Sequence, residues 1–172
     1  MSGNAYVERS GFENIQTLDE FFSAVGVEVR KSTAAVLPYD PTHTEMRDLI
    51  ANEEMPHYMD GVDSPQMVET LIRPIREMVD RGGKSWRSYA ALACCDVVGG
   101  DSRKFSQWLA MPELMHVGSL IIDDVQDKST VRRGGPTCHV VHGEPIAINA
   151  GTAAYFLTQH LLFRLDWRMT RY

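Results

Sequence analysis

Apolar residues recur at helical spacing along most of the chain. From 18 to 37, Leu18, Phe21, Phe22, Val25 and Val29 fall on one side of a helical wheel. The two prolines of "PYDP" stop this helix. A weaker helix is expected over 43–55, followed by the loop "PHYMDGVDSP". The next is well marked over 64–81. Ser64 can cap it, Pro65 suits its first turn, and Met67, Leu71, Ile75, Met78 and Val79 form the buried stripe. Pro74 should kink it, and Arg81-Gly82-Gly83 should end it, with glycine as the left-handed cap. The segment 85–98 is apolar nearly all round, which predicts a core helix closed by Gly99-Gly100. A long helix is expected from about 102 to 127, interrupted by Pro112, and a last one over 146–165. "CHVV" (138–141) is the one strand candidate and is too short to build a sheet. The pattern is therefore all-α. The length, 172 residues, suffices for a domain with a real core.

The net charge of -6 argues against a nucleic-acid partner held by phosphate neutralisation. An acidic chain can still hold polyphosphates if its cations are clustered. No apolar run reaches the ~18 residues of a membrane span. The N-terminus resembles neither a secretory signal nor a transit peptide. Cys94, Cys95 and Cys138 make a poor disulfide framework, so a reducing, cytoplasmic setting is expected.

Chemistry concentrates in "LIIDDVQDKSTVRRGG" (120–135). Crowding Asp123, Asp124 and Asp127 together costs free energy, and a helix C-terminus there would raise the cost. Residues four apart share a helix face, which pairs Asp123 with Asp127 and continues backward through Leu120, His116 and Glu113. Asp124 can also reach toward Asp127. Carboxylates without thiolate or imidazole suit a hard ion such as Mg²⁺, which takes one or two carboxylates plus substrate phosphates. Arg132 and Arg133 add planar donors matched to phosphate oxygens. In "RGGKSWRS" (81–88), Lys84 and Arg87 follow two glycines at a helix start, a place that attracts anions. Each feature alone has a plain surface explanation, a solvated charge cluster or a structural histidine. The greasy turn "SLII" leading into the acids favours the functional one. Zinc at Cys138, His139 and His142 fails for want of a closed ligand set.

Together these residues resemble the trans-isoprenyl diphosphate synthases, the polyprenyl synthetase family. "DDVQD" (123–127) is similar to the family's first aspartate-rich motif and is followed by "RRG" (132–134); "GGKSWRS" (82–88) is similar to its GGKRxRP motif. "ELMHVGSLIIDDVQD" (113–127) and "AINAGTAAYF" (147–156) resemble its central helix and the next, over roughly 65–165. The resemblance implies an isoprenoid-synthase helical bundle, apparently its N-terminal portion, with an extension over 1–60 and a partial synthase domain over 61–172. It implies Mg²⁺ on Asp123 and Asp127, with Asp124 supporting and Arg132 on an allylic diphosphate. Lys84, Arg87, His116 and Arg133 would hold isopentenyl diphosphate. Gly118 and Ser119, one turn before the first aspartate, would floor the chain pocket. Both are small, which points to a product longer than farnesyl, geranylgeranyl being favoured. A homodimer, or a heteromer with a full-length synthase, is the implied assembly.

The pattern departs in places. Ser85 and Ser88 stand where the family has arginine and proline. No second aspartate-rich run follows residue 135, Asp166 being the one acid after Glu144, and "RLDWRMTRY" does not look like the family's next helices. Two other readings stay open: a non-catalytic diphosphate-binding or regulatory subunit of a full-length synthase, and a class I terpene cyclase. The "GGK" and "RRG" elements disfavour the cyclase, which has no second diphosphate to hold.

Overall fold

The structure is a computed structural model that describes residues 16–51 and 56–163. Its helices are α1 (Leu18–Val36), α2 (His43–Ile50), α3 (Ser64–Met67), α4 (Arg73–Asp80), α5 (Trp86–Val97), α6 (Ala110–Gln126), α7 (Cys138–His142) and α8 (Glu144–Phe163). A two-residue hairpin, β1 (Val131–Arg132) with β2 (Gly135–Pro136), interrupts them. The all-helical expectation holds.

Local chemistry sets several boundaries. Thr17 and Glu20 form a reciprocal capping box at the start of α1, and Thr42 and Glu45 form another at α2. The acceptor at α3 is Asp63, whose carboxylate takes the Gln66 N–H at 3.1 Å; Ser64, expected as the cap, is the first helical residue. Between α3 and α4 the chain widens into a π-turn over Val68–Ile72. It lies just before Pro74, whose missing N–H breaks the regular ladder there.

Four expectations change. The helix expected over 102–127 is divided: a 3₁₀ segment spans Ser102–Leu109 and α6 begins at Ala110. Pro112 thus lies in the first turn of α6, where a missing N–H costs nothing, and it does not interrupt the helix. "CHVV" is helical rather than extended, forming most of α7. α2 ends at Ile50 rather than 55; residues 52–55 lie outside the described ones. α5 is not a core helix. It packs on α1, the 3₁₀ segment and α6 through Ser88 and Leu92, while Val97 and Val98 are exposed.

The main core joins Leu37 and Met46 to Ile72, Ile75, Met78 and Val79, and to Leu114, Val117 and Ile121 of α6. A smaller core holds Val25 and Val29 of α1 against Leu92 and Leu109. Residues 18–50 therefore share both cores with the chain that follows. The closest helix pair is α6 with α8. α8 presents Ala147, Ala150 and Ala154, all fully buried, and Gly118 faces Gly151 so tightly that an added Cβ would lie 2.7 Å from the Gly151 carbonyl oxygen. This contact fixes α6, and with it the aspartates at its C-terminal end.

Candidate functional site

α6 ends in a Schellman motif. The Ser129 N–H reaches the Asp124 carbonyl at 3.0 Å and the Lys128 N–H reaches that of Val125 at 3.3 Å. Lys128 takes the left-handed position with φ 53°. Ser85 and Arg133 have φ 49° each. Among the described residues these are the non-glycine positions with positive φ; Lys128 closes the aspartate-bearing end of α6, and Ser85 and Arg133 share one corner of the molecule. Such backbone strain collects at functional sites.

The centre of that corner is a cavity of about 440 Å³. Lys84 and Arg87 line it from the start of α5, Glu113, His116 and Leu120 from α6, and Arg132 and Arg133 from the hairpin. Four cations and one carboxylate thus meet in a chain whose net charge is -6.

Each of the three arginines is held differently. Arg87 donates from Nη1 to Nε2 of His116 at 3.0 Å and lies over the exposed Trp86 ring, 4.7 Å from its centroid. Burial, and then the Arg87 charge, pull the His116 pKa below its ordinary value. The neutral ring accepts from Arg87 at Nε2 and so keeps its proton on Nδ1. Arg132 donates from Nε and Nη2 to Oδ1 of Asp124, at 2.9 and 2.6 Å. That hydrogen bond raises the Arg132 pKa further, so the guanidinium stays charged. Asp124 takes two of its five N–H donors and leaves three for a ligand. Arg133 donates to the Met78 carbonyl and to Oε1 of the buried Glu113, both at 3.1 Å.

The residues expected to hold one diphosphate, Lys84, Arg87, His116 and Arg133, therefore surround one cavity, and Arg132 joins them. Asp123 and Asp127 share the exposed outer face of α6 one turn apart, as the spacing predicts, but lie outside the cavity lining. Among the described residues neither carboxylate has an ion pair or side-chain hydrogen bond. Their open oxygens fit a hard divalent ion that takes one or two carboxylates and fills its shell with water and ligand oxygens. Asp124 does not reach toward Asp127. It is fully buried, turned to Arg132, with Oδ2 unpartnered. Gly118 is buried against α8. Ser119 is half-buried, its hydroxyl donating to the His116 carbonyl at 2.7 Å. Trp86 was not singled out by sequence, and Arg81 only as a helix terminator, although both lie inside "RGGKSWRS".

The helical bundle thus gathers four cations around one cavity, with two open carboxylates at the end of the helix beside it. The sequence profile of the polyprenyl synthetase family matches residues 68–171, and this chain belongs to that family. The match runs past 165, through the tail that motifs alone left unassigned. The chain is 42% identical over 87 residues to a short chain isoprenyl diphosphate synthase of Methanothermobacter thermautotrophicus, covering 51% of this chain and 27% of that protein. It is 35% identical over 97 residues to a geranylgeranyl pyrophosphate synthase of Eremothecium gossypii, covering 56% and 30%. Against a geranylgeranyl diphosphate synthase of Saccharolobus solfataricus the identity is 41% over 83 residues, covering 48% and 25%. The chain thus spans under a third of the length of these relatives. No described helix is long and apolar enough to cross a membrane.

Proposed function

We propose that this chain condenses an allylic diphosphate with isopentenyl diphosphate to give a longer isoprenyl diphosphate, geranylgeranyl diphosphate being the favoured product. The observation that carries the reading is the gathering of Lys84, Arg87, Arg132 and Arg133 around one cavity, beside the open carboxylates of Asp123 and Asp127. The names of the relatives support the reaction class and the product.

Lys84, Arg87 and Arg133 neutralise the diphosphate of isopentenyl diphosphate and orient it, and His116 holds Arg87 in place. Arg132 keeps three donors for the allylic diphosphate while Asp124 fixes its orientation. Asp123 and Asp127 would hold Mg²⁺, which when bound offsets the charge of the departing diphosphate. Breaking the allylic C–O bond leaves a carbocation. The alkene of isopentenyl diphosphate attacks it, and loss of a proton restores a double bond. The cationic wall stabilises the anion released as that bond breaks.

The test is condensation of labelled isopentenyl diphosphate with dimethylallyl, geranyl or farnesyl diphosphate by the 172-residue chain, with and without Mg²⁺. Product is expected with Mg²⁺ and not without it, and is expected to vanish in Asp123→Ala. Folded chain that binds Mg²⁺ and pyrophosphate but makes no product would instead assign it the role of a diphosphate-binding subunit. Product length tests a second residue. Ser119→Phe is expected to shorten the product; an unchanged product would remove Ser119 from the pocket floor.

A further inference from the structure

The loop 81–84 and the hairpin 131–136 interlock through two reciprocal arginine–glycine contacts. Arg81 sends its guanidinium to the hairpin, where Nη1 donates to the Pro136 carbonyl and, at 3.5 Å, toward that of Arg132. It lies against Gly135, where an added Cβ would sit 3.0 Å from Arg81 Cζ. In the opposite direction, Arg133 leaves the hairpin and lies against Gly83, where an added Cβ would sit 3.0 Å from Arg133 Nη2. Arg133 is then tied to the Met78 carbonyl.

The hairpin needs such support. It has two residue pairs, Val131 with Pro136 and Arg132 with Gly135, joined through Arg133 and Gly134, both at positive φ as in a type I′ turn. A ladder this short does not stand alone in water. It also carries Arg132 and Arg133 toward Lys84 and Arg87, and mutual repulsion would splay four cations unless the backbone beneath them were held.

We propose that Arg81 is a positioning residue, clasping the arginine hairpin to the loop that bears Lys84 so that both present their cations to one diphosphate. The proposal rests on the diphosphate reading above. It gives Arg81 no contact with substrate. Its guanidinium is spent on hairpin carbonyls, a task suited to a planar donor fork and poorly served by a lysine ammonium.

Three variants of the full 172-residue chain test it: Arg81→Ala, Arg81→Lys, and Gly135→Ala. The last keeps the charge of Arg81 but crowds its guanidinium. Two readouts are taken beside a thermal melt, namely amide hydrogen exchange over 130–137 without ligand, and binding of inorganic pyrophosphate with Mg²⁺. Loss of this charged hydrogen bond is expected to speed hairpin exchange about tenfold and to weaken pyrophosphate about tenfold in Arg81→Ala. Gly135→Ala should move both in the same direction, Arg81→Lys should recover little, and exchange in α6 and α8 should not change. Unchanged hairpin exchange in both Arg81→Ala and Gly135→Ala would overturn the clasp, whatever the binding data show. A loosened hairpin with unchanged pyrophosphate affinity would overturn the positioning role. Absence of pyrophosphate binding by the unaltered chain would overturn the diphosphate reading and the positioning role with it, while exchange still decided whether the clasp exists. Should Arg81→Ala not fold, Gly135→Ala carries both readouts.

Discussion

Arg133→Met is expected to destabilise the chain by about 3–5 kcal/mol, a large share of the stability of a domain this size. The reason is Glu113. Its side chain is 5% exposed, and its ion-pair partner is Arg133, at 3.1 Å. Methionine fills much of the arginine's volume but leaves the carboxylate buried without a counter-charge. Glu113 then stays buried at the cavity wall with no direct ion-pair partner among the described residues, which costs folding free energy. Urea unfolding read by far-UV circular dichroism measures the loss. The double variant Glu113→Gln, Arg133→Met should recover most of it, because no buried charge remains unpaired. A single-variant cost below about 1 kcal/mol would show that water reaches Glu113 and that the pair resembles a surface bridge. The same experiment bears on function. Arg133 spends two of its five donors on Glu113 and the Met78 carbonyl, as Arg132 spends two on Asp124, but its side chain is less exposed, 12% against 33%, so its share in the proposed diphosphate binding is expected to be smaller than that of Arg132.

Gly118→Ala is expected to destabilise by about 1–3 kcal/mol through overpacking. The sign is informative. Alanine in place of a helix-interior glycine ordinarily stabilises by about 1 kcal/mol. Here the new methyl would lie 2.7 Å from the Gly151 carbonyl oxygen and 3.0 Å from the Ala154 Cβ. The first neighbour is backbone and cannot rotate away, so α6 and α8 must separate. Gly151 mirrors the constraint, since a Cβ there would meet Ile122 at 2.9 Å and the Gly118 carbonyl oxygen at 3.1 Å. A stabilised Gly118→Ala variant in urea melts would mean that the helices yield easily and that the glycine was not needed for close approach. Because α6 carries His116 before this contact and Asp123 after it, separation of the helices should also disturb the candidate site.

Much of the helix content was legible in sequence because helix formation is largely local. The stripe of α1, the stop at Pro38 and the terminator at Gly82 each depend on residues within a turn or two. The same locality made the Asp123–Asp127 pair legible, since four residues bring a side chain back to the same face. Two local signals were present and unread. Thr17 with Glu20 and Thr42 with Glu45 are capping boxes in plain sequence. Pro112 was misread for a related reason: a proline breaks a helix only when a full turn precedes it, and here α6 starts two residues before. α5 was misread differently. Apolar residues all round a helix signal burial only where neighbouring elements cover every side, and Val97 and Val98 lie beyond the edge of the packing among the described residues.

Most of the helices, the family's motifs in order, the concentration of cations around 81–87 and 132–133, and two carboxylates on one face are written in the sequence. Each follows from residue type and short-range spacing. Which charge meets which is settled by the packing of distant segments. Asp124 and Asp123 are adjacent in the chain, yet one is fully buried on Arg132 and the other stands open, because the neighbouring elements cover one side of α6 and not the other. Arg132 and Arg133 are adjacent too, yet the turn between β1 and β2 sends them to Asp124 and Glu113. The close approach of α8 to Gly118 is likewise visible only in the packing of the two helices. Partner choice of this kind depends on close approach between segments 8 to 55 residues apart, as from Arg132 to Asp124 or from Arg133 to Met78, and helical periodicity carries no record of it.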